Sequence, residues 1–451
     1  MEELLHRTYS VCPVCLKRVP ALRVRRDGAV YLRKACEEHG AFESVVWRDR
    51  LDLGEWIGGA EGAALGDPPC PDGCGLCAEH LQGTCCVLLE VTARCNLRCS
   101  FCFADGGADP GARADARGGS LTSVRAGARA GSVAEPSLEE LKSSLARLAV
   151  PGKTLVQLSG GEPTLRDDLP DIVAAAKEAG CRYVQLNTNG LRLAEDGGYV
   201  RALAGAGLSF VFMQFDGTDD GIYLKLRGRP LFEIKKRAVE QCGRHNLGVT
   251  LVPTLVPGVN TDAIGEILRF GVSHSPAVRG VHFQPVSYFG RAPSAPADVM
   301  RFTLDELVAG IEEQSGGLVK RGQLLPSRCD HPLCGFHGDF VVDAEGRLAA
   351  LSRRNAGEPC CGAAAADRNR EFVARRWLRP LAGVSGARPV DLHNIDSFLG
   401  RVKTHGFTVT AMAFQDAGTL DVERLRRCSL HVFDDGRLVP FCAHYLTGWT
   451  A

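Results

Sequence analysis

The stretch Cys95-Asn-Leu-Arg-Cys99-Ser-Phe-Cys102 sets three thiols at C-x3-C-x2-C spacing, directly after the apolar run Val87-Leu-Leu-Glu-Val-Thr. Three close cysteines can hold three irons of a [4Fe–4S] cluster and leave the fourth iron without a protein ligand. An open iron can bind a substrate or cofactor, which is chemistry beyond plain electron transfer. The competing assignment is a structural zinc knuckle, but zinc requires a fourth ligand nearby and this motif supplies only three. Further along, Ser159-Gly-Gly-Glu-Pro163 follows a strand-like run at 154–158. Paired glycines let the backbone approach a ligand closely. On its own the segment reads as a turn; its place one βα unit after the cysteine motif gives it functional weight.

The remaining cysteines fall in tight groups. The chain has 19 of them, and in a reducing compartment such clusters are metal ligands more often than disulfides. Cys12-Pro-Val-Cys15 and Cys36-Glu-Glu-His39 have the spacing of two knuckles that close one tetrahedral site, for zinc or a single rubredoxin-like iron. The alternative is a loop with incidental cysteines. A module of this size buries little core, so a metal would supply much of its stability. Cys70-Pro-Asp-Gly-Cys74-Gly-Leu-Cys77 repeats the C-x3-C-x2-C spacing, with Cys85 as the favoured fourth ligand over Cys86. Four thiolates would close an auxiliary cluster. Cys329, Cys334, Cys428 and Cys442 could form another, although about a hundred residues separate the two pairs. Cys360 and Cys361 are adjacent, a poor geometry for one iron. His331 and His444 flank these cysteines, as supporting donors or as surface residues. Cys181 and Cys242 stand alone and are expected in the core.

These groups need a scaffold. From residue 86 to about 318 strand-like and helix-like runs alternate. The strands are expected at 87–91, 154–158, 183–186, 209–215, 248–255 and 280–284, the helices at 138–148, 169–179, 199–206, 231–245, 261–270 and 304–314. Such alternation implies a parallel sheet with helices on its outer face. Six units, rather than the eight of a closed barrel, imply a partial (βα)6 barrel with its active residues at the strand C-terminal ends. Asn189, in Asn187-Thr-Asn-Gly190, and Gln214 and Asp216, in Gln214-Phe-Asp-Gly217, reach that rim as candidates for ribose or substrate contacts. Their other reading is as turn-forming pairs. Gln284 is a weaker candidate of the same kind.

The expected organisation is an α/β chain. A metal-knuckle module occupies 1–50, with a strand over 28–32. An auxiliary-cluster segment covers 51–85 and the partial barrel 86–318. A separate cysteine-containing α+β part covers 319–451, with strand-like pieces at 340–342 and 431–433. Residues 104–136 have almost no large apolar side chain, so a mobile insertion is expected there, as filler or as a lid. The 451 residues are 45% hydrophobic and 24% charged, ordinary for a soluble protein. With 53 basic and 53 acidic side chains, nothing favours nucleic acid or an acidic membrane as partner. No apolar run is long enough for a spanning helix, and the start Met-Glu-Glu-Leu-Leu-His does not read as a secretory signal, so a cytoplasmic location is expected.

The cysteine spacing followed by Gly160-Gly-Glu-Pro163 resembles the radical S-adenosylmethionine (radical SAM) superfamily. The full order of motifs is similar to the branch that includes dihydropterin dimethyltransferase (class D methylase) and the archaeal tetraether lipid synthases. The matching pieces include Lys34-Ala-Cys36-Glu-Glu-His39-Gly40, Thr84-Cys85, Gln157-Leu-Ser-Gly-Gly-Glu-Pro-Thr164, Gln185-Leu-Asn-Thr-Asn-Gly190, Cys329-Asp-His-Pro-Leu-Cys334 and Pro440-Phe-Cys442-Ala. Two features depart from the pattern: the long 104–136 insertion, and Gly83 where a second histidine is expected.

The resemblance implies that Cys95, Cys99 and Cys102 bind an open [4Fe–4S] cluster. Its free iron would take the amino nitrogen and carboxylate oxygen of SAM. Reductive cleavage would give methionine and a 5′-deoxyadenosyl radical, which removes hydrogen from an unactivated carbon. Phe101 would lay its backbone against adenine, Gly160, Gly161 and Pro163 would shape the cofactor site, and Glu162 would support the SAM ammonium group. One or two auxiliary [4Fe–4S] clusters and a low-potential donor such as ferredoxin or flavodoxin would complete the set. The reaction implied is radical methylation or carbon–carbon bond formation, on a small molecule such as a pterin or on a lipid. A lipid substrate would bring the protein to the membrane periphery. A radical dehydrogenase is the alternative within the class, and a non-catalytic iron–sulfur electron-transfer or sensor protein the alternative outside it.

Overall fold

A computed structural model describes residues 2–58, 70–71, 75–104, 135–291, 295–327, 329–351 and 401–449. Almost all of the expected insertion at 104–136, together with Cys74, Cys360 and Cys361, lies outside the described residues.

The chain begins with a four-stranded antiparallel sheet in the order β1 (Glu3–Val11), β2 (Arg18–Arg26), β3 (Ala29–Cys36) and β4 (Gly40–Trp47). Only β3 was expected as a strand. The charged residues alternating through β1 and β2 obscure a two-sided pattern, because Arg23 on β2, like Lys34 on β3, is itself buried. Both cations are used for docking. Arg23 lies 3.3 Å from Asp421 and 3.4 Å from Glu423. The Lys34 ammonium donates to Ser10 at 2.9 Å and to the Ala417 carbonyl at 2.6 Å. The module is thus fixed to the C-terminal segment by buried ion pairs and hydrogen bonds.

The remaining strands are β5 (Cys86–Thr92), β6 (Leu155–Gly160), β7 (Tyr183–Thr188), β8 (Phe210–Gln214), β9 (Gly248–Val252), β10 (Thr254–Leu255), β11 (Val278–Pro285), β12 (Leu325–Pro326), β13 (Gly335–Val342), β14 (Leu348–Ala350), β15 (Gly406–Met412), β16 (Leu430–Asp434) and β17 (Arg437–Pro440). They form one sheet in the order β12-β13-β15-β11-β9-β8-β7-β6-β5-β16-β17. The strands expected for the barrel (β5, β6, β7, β8, β9 and β11) are all present and parallel. Two further parallel strands flank them: β15 beside β11, and β16 beside β5. The 319–451 part, read from sequence as its own unit, therefore shares the barrel sheet at both edges. Nothing local announces this. β15 pairs in parallel with a strand more than a hundred residues away, and no βα repeat frames it.

Period-2 alternation sorts the barrel side chains. Val156 and Leu158 of β6, Val184 and Leu186 of β7, Val211 and Met213 of β8, and Val281 and Phe283 of β11 belong to the main apolar core. They share it with Leu141, Leu145, Ile172 and Val173 from the helices Leu138–Leu148 and Leu169–Glu178. The first of these helices starts at Ser137 with a capping box to Glu140, as its Ser-x-x-Glu sequence dictates. The alternate residues Gln157, Ser159, Gln185, Asn187, Phe212, Gln214, His282 and Gln284 line the lumen instead. Cys181 and Cys242 are buried, as expected for isolated small apolar side chains.

Candidate active site

Cys95, Cys99 and Cys102 line one end of a cavity of ≈ 360 Å³ that fills the barrel lumen. The loop carrying them is pinned by hydrogen bonds from four directions. The Thr92 carbonyl accepts from Gly161 N–H and the Arg94 carbonyl from Glu162 N–H, each at 2.7 Å. Asn189 donates to Asn96 at 2.7 Å. Ser100 N–H donates to the Leu226 carbonyl at 3.2 Å, and Cys102 and Arg291 exchange backbone hydrogen bonds at 3.1 and 2.9 Å. Burial pushes the Cys95 thiol up to about 11. Such a buried thiol ionises readily only with a positive partner such as a metal.

Gly160 and Gly161 line the cavity, but their lack of a side chain serves the protein's own backbone. A Cβ on Gly160 would stand 2.2 Å from the Thr92 carbonyl oxygen, and one on Gly161 would stand 2.1 Å from that of Arg94. At the Cβ side of both residues the crowding comes from the cysteine loop. Pro163 is buried and opens a short 3-10 turn behind the rim. Glu162 is 1% exposed and lines the cavity. Its Oε1 accepts from Thr164 N–H at 3.1 Å, the Thr164 hydroxyl at 2.6 Å and the Thr188 hydroxyl at 2.6 Å. Its Oε2 accepts from Asn189 N–H at 2.6 Å. The carboxylate is thus rigidly held, and Oε2 keeps capacity for a second donor. Phe101 lines the same cavity, edge-to-face with Tyr288 at 5.8 Å between centroids.

Asp216 departs from its expected role. It is 0% exposed and spends both oxygens on Arg227, at 2.7 and 2.8 Å. It is Arg227 that faces the cavity, beside Cys99. Burial opposes the Arg227 charge, but Asp216 outweighs it and holds the guanidinium above its ordinary value. The helix Asp220–Arg227 that delivers this arginine was not expected from sequence, where its apolar face is only Ile222, Tyr223 and Leu226. Lys235 was missed as well. Its buried ammonium donates to the Asn189 carbonyl at 2.5 Å and to Gln214 at 3.2 Å, and burial lowers its pKa to about 8. Gln214 and Asn189 reach the cavity, as expected.

The cavity continues down the lumen to Cys85, Cys86 and Cys329. Burial raises the thiols of Cys334, Cys428 and Cys442, with the Asp330 carboxylate acting in the same direction on all three. Cys329 donates to Asp330 at 3.4 Å. Gln415 N–H and the Arg424 guanidinium point at the sulfurs of Cys442 and Cys334, at 3.3 and 3.4 Å. Cys70 and Cys77 pack in the same apolar cluster as Cys442. His331 is fully buried beside this group rather than at the surface, while His444 is part-exposed, 3.7 Å from Asp434.

In the N-terminal module the ligand atoms of Cys12, Cys15, Cys36 and His39 all lie within 4.8 Å of one another. The two knuckles are the β1–β2 and β3–β4 turns. The Cys36 thiol is lowered to about 6, chiefly by its hydrogen bond with His39. A Cys3His set of this compactness suits tetrahedral zinc.

Residues 89–271 match the model of the Radical SAM superfamily, and residues 4–48 match the HMPTM N-terminal zinc ribbon domain. The chain is 32% identical over 492 aligned positions to 7,8-dihydro-6-hydroxymethylpterin dimethyltransferase of Methanocaldococcus jannaschii, covering 97% of this chain and 93% of that relative. The chain belongs to the radical SAM superfamily. As a radical SAM enzyme it uses S-adenosylmethionine and a [4Fe–4S] cluster. Shorter similarities include GTP 3′,8-cyclase of Limosilactobacillus fermentum, 28% identical over 44% of this chain and 54% of that one. PqqA peptide cyclase of Bradyrhizobium diazoefficiens is 30% identical over 50% of this chain and 53% of its own. Among solved structures, Streptococcus suis SuiB aligns at a TM-score of 0.37 and 14% identity, over 52% of this chain and 45% of that one. No helix among the described residues is long and apolar enough to cross a membrane.

Proposed function

We propose that this radical SAM enzyme is a methyltransferase acting on carbon in a dihydropterin. Cys95, Cys99 and Cys102 hold the open cluster, Glu162 receives the SAM ammonium group on Oε2, and Asn189 and Phe101 flank the nucleoside. With SAM bound, the cluster supplies one-electron chemistry able to remove hydrogen from a C–H bond. The chain's own part is to fix the cysteine loop, exclude water from the lumen and orient the carbon that reacts. Cys12, Cys15, Cys36 and His39 hold zinc. Cys329, Cys334, Cys428 and Cys442 hold an auxiliary cluster at the far end of the lumen, with Cys70, Cys74, Cys77 and Cys85 as the second candidate set.

One observation carries the pterin reading: the lumen beside the open-cluster thiols presents a group of carboxamides, Gln157, Gln185, Asn187 and Gln214, with Leu155 and Phe212 among its apolar lining. A compact polar group suits a flat heterocycle with several donors and acceptors; a lipid chain would leave those amides without partners. The near full-length similarity to a dihydropterin dimethyltransferase supports the same reading. The test is anaerobic incubation of the reconstituted enzyme with SAM, reductant and 6-hydroxymethyl-7,8-dihydropterin, followed by mass spectrometry. The expected product is the pterin carrying one or two added methyl groups. Formation of deoxyadenosine with the pterin recovered unchanged, across one-carbon donors, would defeat the assignment.

A further inference from the structure

Gln185 occupies an unusual position in the barrel lumen. It is 0% exposed, it lines the cavity, and among the described residues its side-chain oxygen has no hydrogen-bond partner. A buried acceptor without a partner is costly and uncommon in native structures. The other end of the amide is engaged within the lumen. Its amide nitrogen donates to Asn187 Oδ1 at 2.7 Å. The Asn187 amide nitrogen in turn donates to Gln157 Oε1 at 3.3 Å and to the Ser159 hydroxyl at 3.4 Å. In this arrangement the amides hand hydrogen bonds from Gln185 through Asn187 to Gln157, which leaves Gln185 Oε1 and the Gln157 NH2 group facing a ligand.

Gln157 and Gln185 are direct register partners on β6 and β7, so the acceptor and the donor sit side by side on one lumen wall. Beside them on the lumen wall, Phe212 stands in register with Asn187 on the neighbouring strand β8, its ring centroid 5.5 Å from that of His282. His282 is kept neutral by burial, its pKa lowered to about 4, and its Nδ1 is paired with the Thr410 hydroxyl at 2.8 Å. The two amides are thus flanked by uncharged aromatic side chains.

We propose that Gln185 and Gln157 form the recognition edge for an amino-pyrimidinone ring, Gln185 Oε1 accepting from the exocyclic amine side and Gln157 NH2 donating to the ring acceptor beside it. This rests on the pterin reading above and adds the residues that read its heterocycle. Adjacent neutral amides match an adjacent donor and acceptor on the ligand without the desolvation penalty of a carboxylate. Gln185 is then a specificity-determining residue, its oxygen accepting from the ring's amine. Asn187 acts through the other two, by fixing which end of each amide faces the lumen.

The test compares 6-hydroxymethyl-7,8-dihydropterin with its 2-oxo counterpart, which places a carbonyl where the amine stood. Dissociation constants are measured on the anaerobic holoenzyme with SAM present. The wild type is expected to prefer the 2-amino ring by about tenfold or more, because the 2-oxo ring sets acceptor against acceptor. Gln185→Leu should bring the ratio close to one. Gln185→Asn, which keeps the amide but withdraws it by one methylene, should give an intermediate ratio; the iron–sulfur absorbance of each variant checks that the barrel has assembled. A wild type that binds both rings equally, or a Gln185→Leu ratio unchanged from wild type, overturns the recognition edge while leaving pterin methylation standing. A wild type that binds and methylates neither ring removes the pterin reading, and this proposal with it.

Discussion

The N-terminal knuckle and the cysteine loop of the barrel solve different problems. The Cys3His knuckle is local: two hairpin turns of one small sheet bring its ligand atoms within 4.8 Å of one another. The Cys95–Cys99–Cys102 loop has its ligands closer in sequence, yet nothing local fixes its shape. Its geometry comes from Gly161, Glu162, Asn189, Leu226 and Arg291, contributed by other parts of the barrel. A closed tetrahedral site needs only its ligands and an ion. An open site must keep one iron accessible in a defined direction, and that direction is set by the surroundings.

The contrast can be broken most sharply at Cys99. Cys99→Ala should abolish deoxyadenosine formation while zinc stoichiometry stays at wild-type level; loss of both metals together would show that the two regions are not independent. Gly161→Ala is the next largest effect. The added Cβ would meet the Arg94 carbonyl, so the loop must shift by an ångström or so, enough for a roughly hundredfold fall in SAM cleavage. An activity near wild type would mean that the loop tolerates displacement. Asp216→Asn leaves the Arg227 guanidinium buried without its counter-charge and should cost about 3–5 kcal/mol of stability by denaturant titration. Because Arg227 contacts Cys99, it should also perturb the electron paramagnetic resonance signal of the open cluster. In the other region, Cys36→Ser should release zinc yet leave iron at the barrel rim. Iron lost in proportion to zinc would contradict that.

The smallest effect concerns pH. Burial lowers His282 to about 4 and His431 to about 3, from 6.5 in the unfolded chain. The unfolded state takes up protons first as pH falls, so the stability these neutral imidazoles contribute is complete above pH 6.5 and drains away as pH drops towards 4. His282→Asn should flatten part of that slope in unfolding midpoints compared between pH 7 and pH 5.

Much of the barrel was legible. Apolar alternation located all six central strands, and the helix expected at 138–148 is observed with those bounds. The Cys3His ligands were legible from spacing alone. The N-terminal strands were less so, because Arg23 and Lys34 occupy buried positions where a hydrophobic pattern would be sought. Asp216 was assigned to the rim by its place at the end of β8. Its pairing with Arg227 follows from a helix that ends eleven residues later, and no local pattern reveals it.

By itself the sequence determined which atoms can bind metal and in what order the chain supplies them, because ligand spacing and strand alternation act over a few residues. Only the tertiary structure decided that the paired glycines make room for the cysteine loop, that Asp216 neutralises Arg227, and that Gln185 carries an acceptor with no partner. Those outcomes depend on which distant strand lies alongside and which side chain faces the lumen. Both are settled by the packing of the whole sheet.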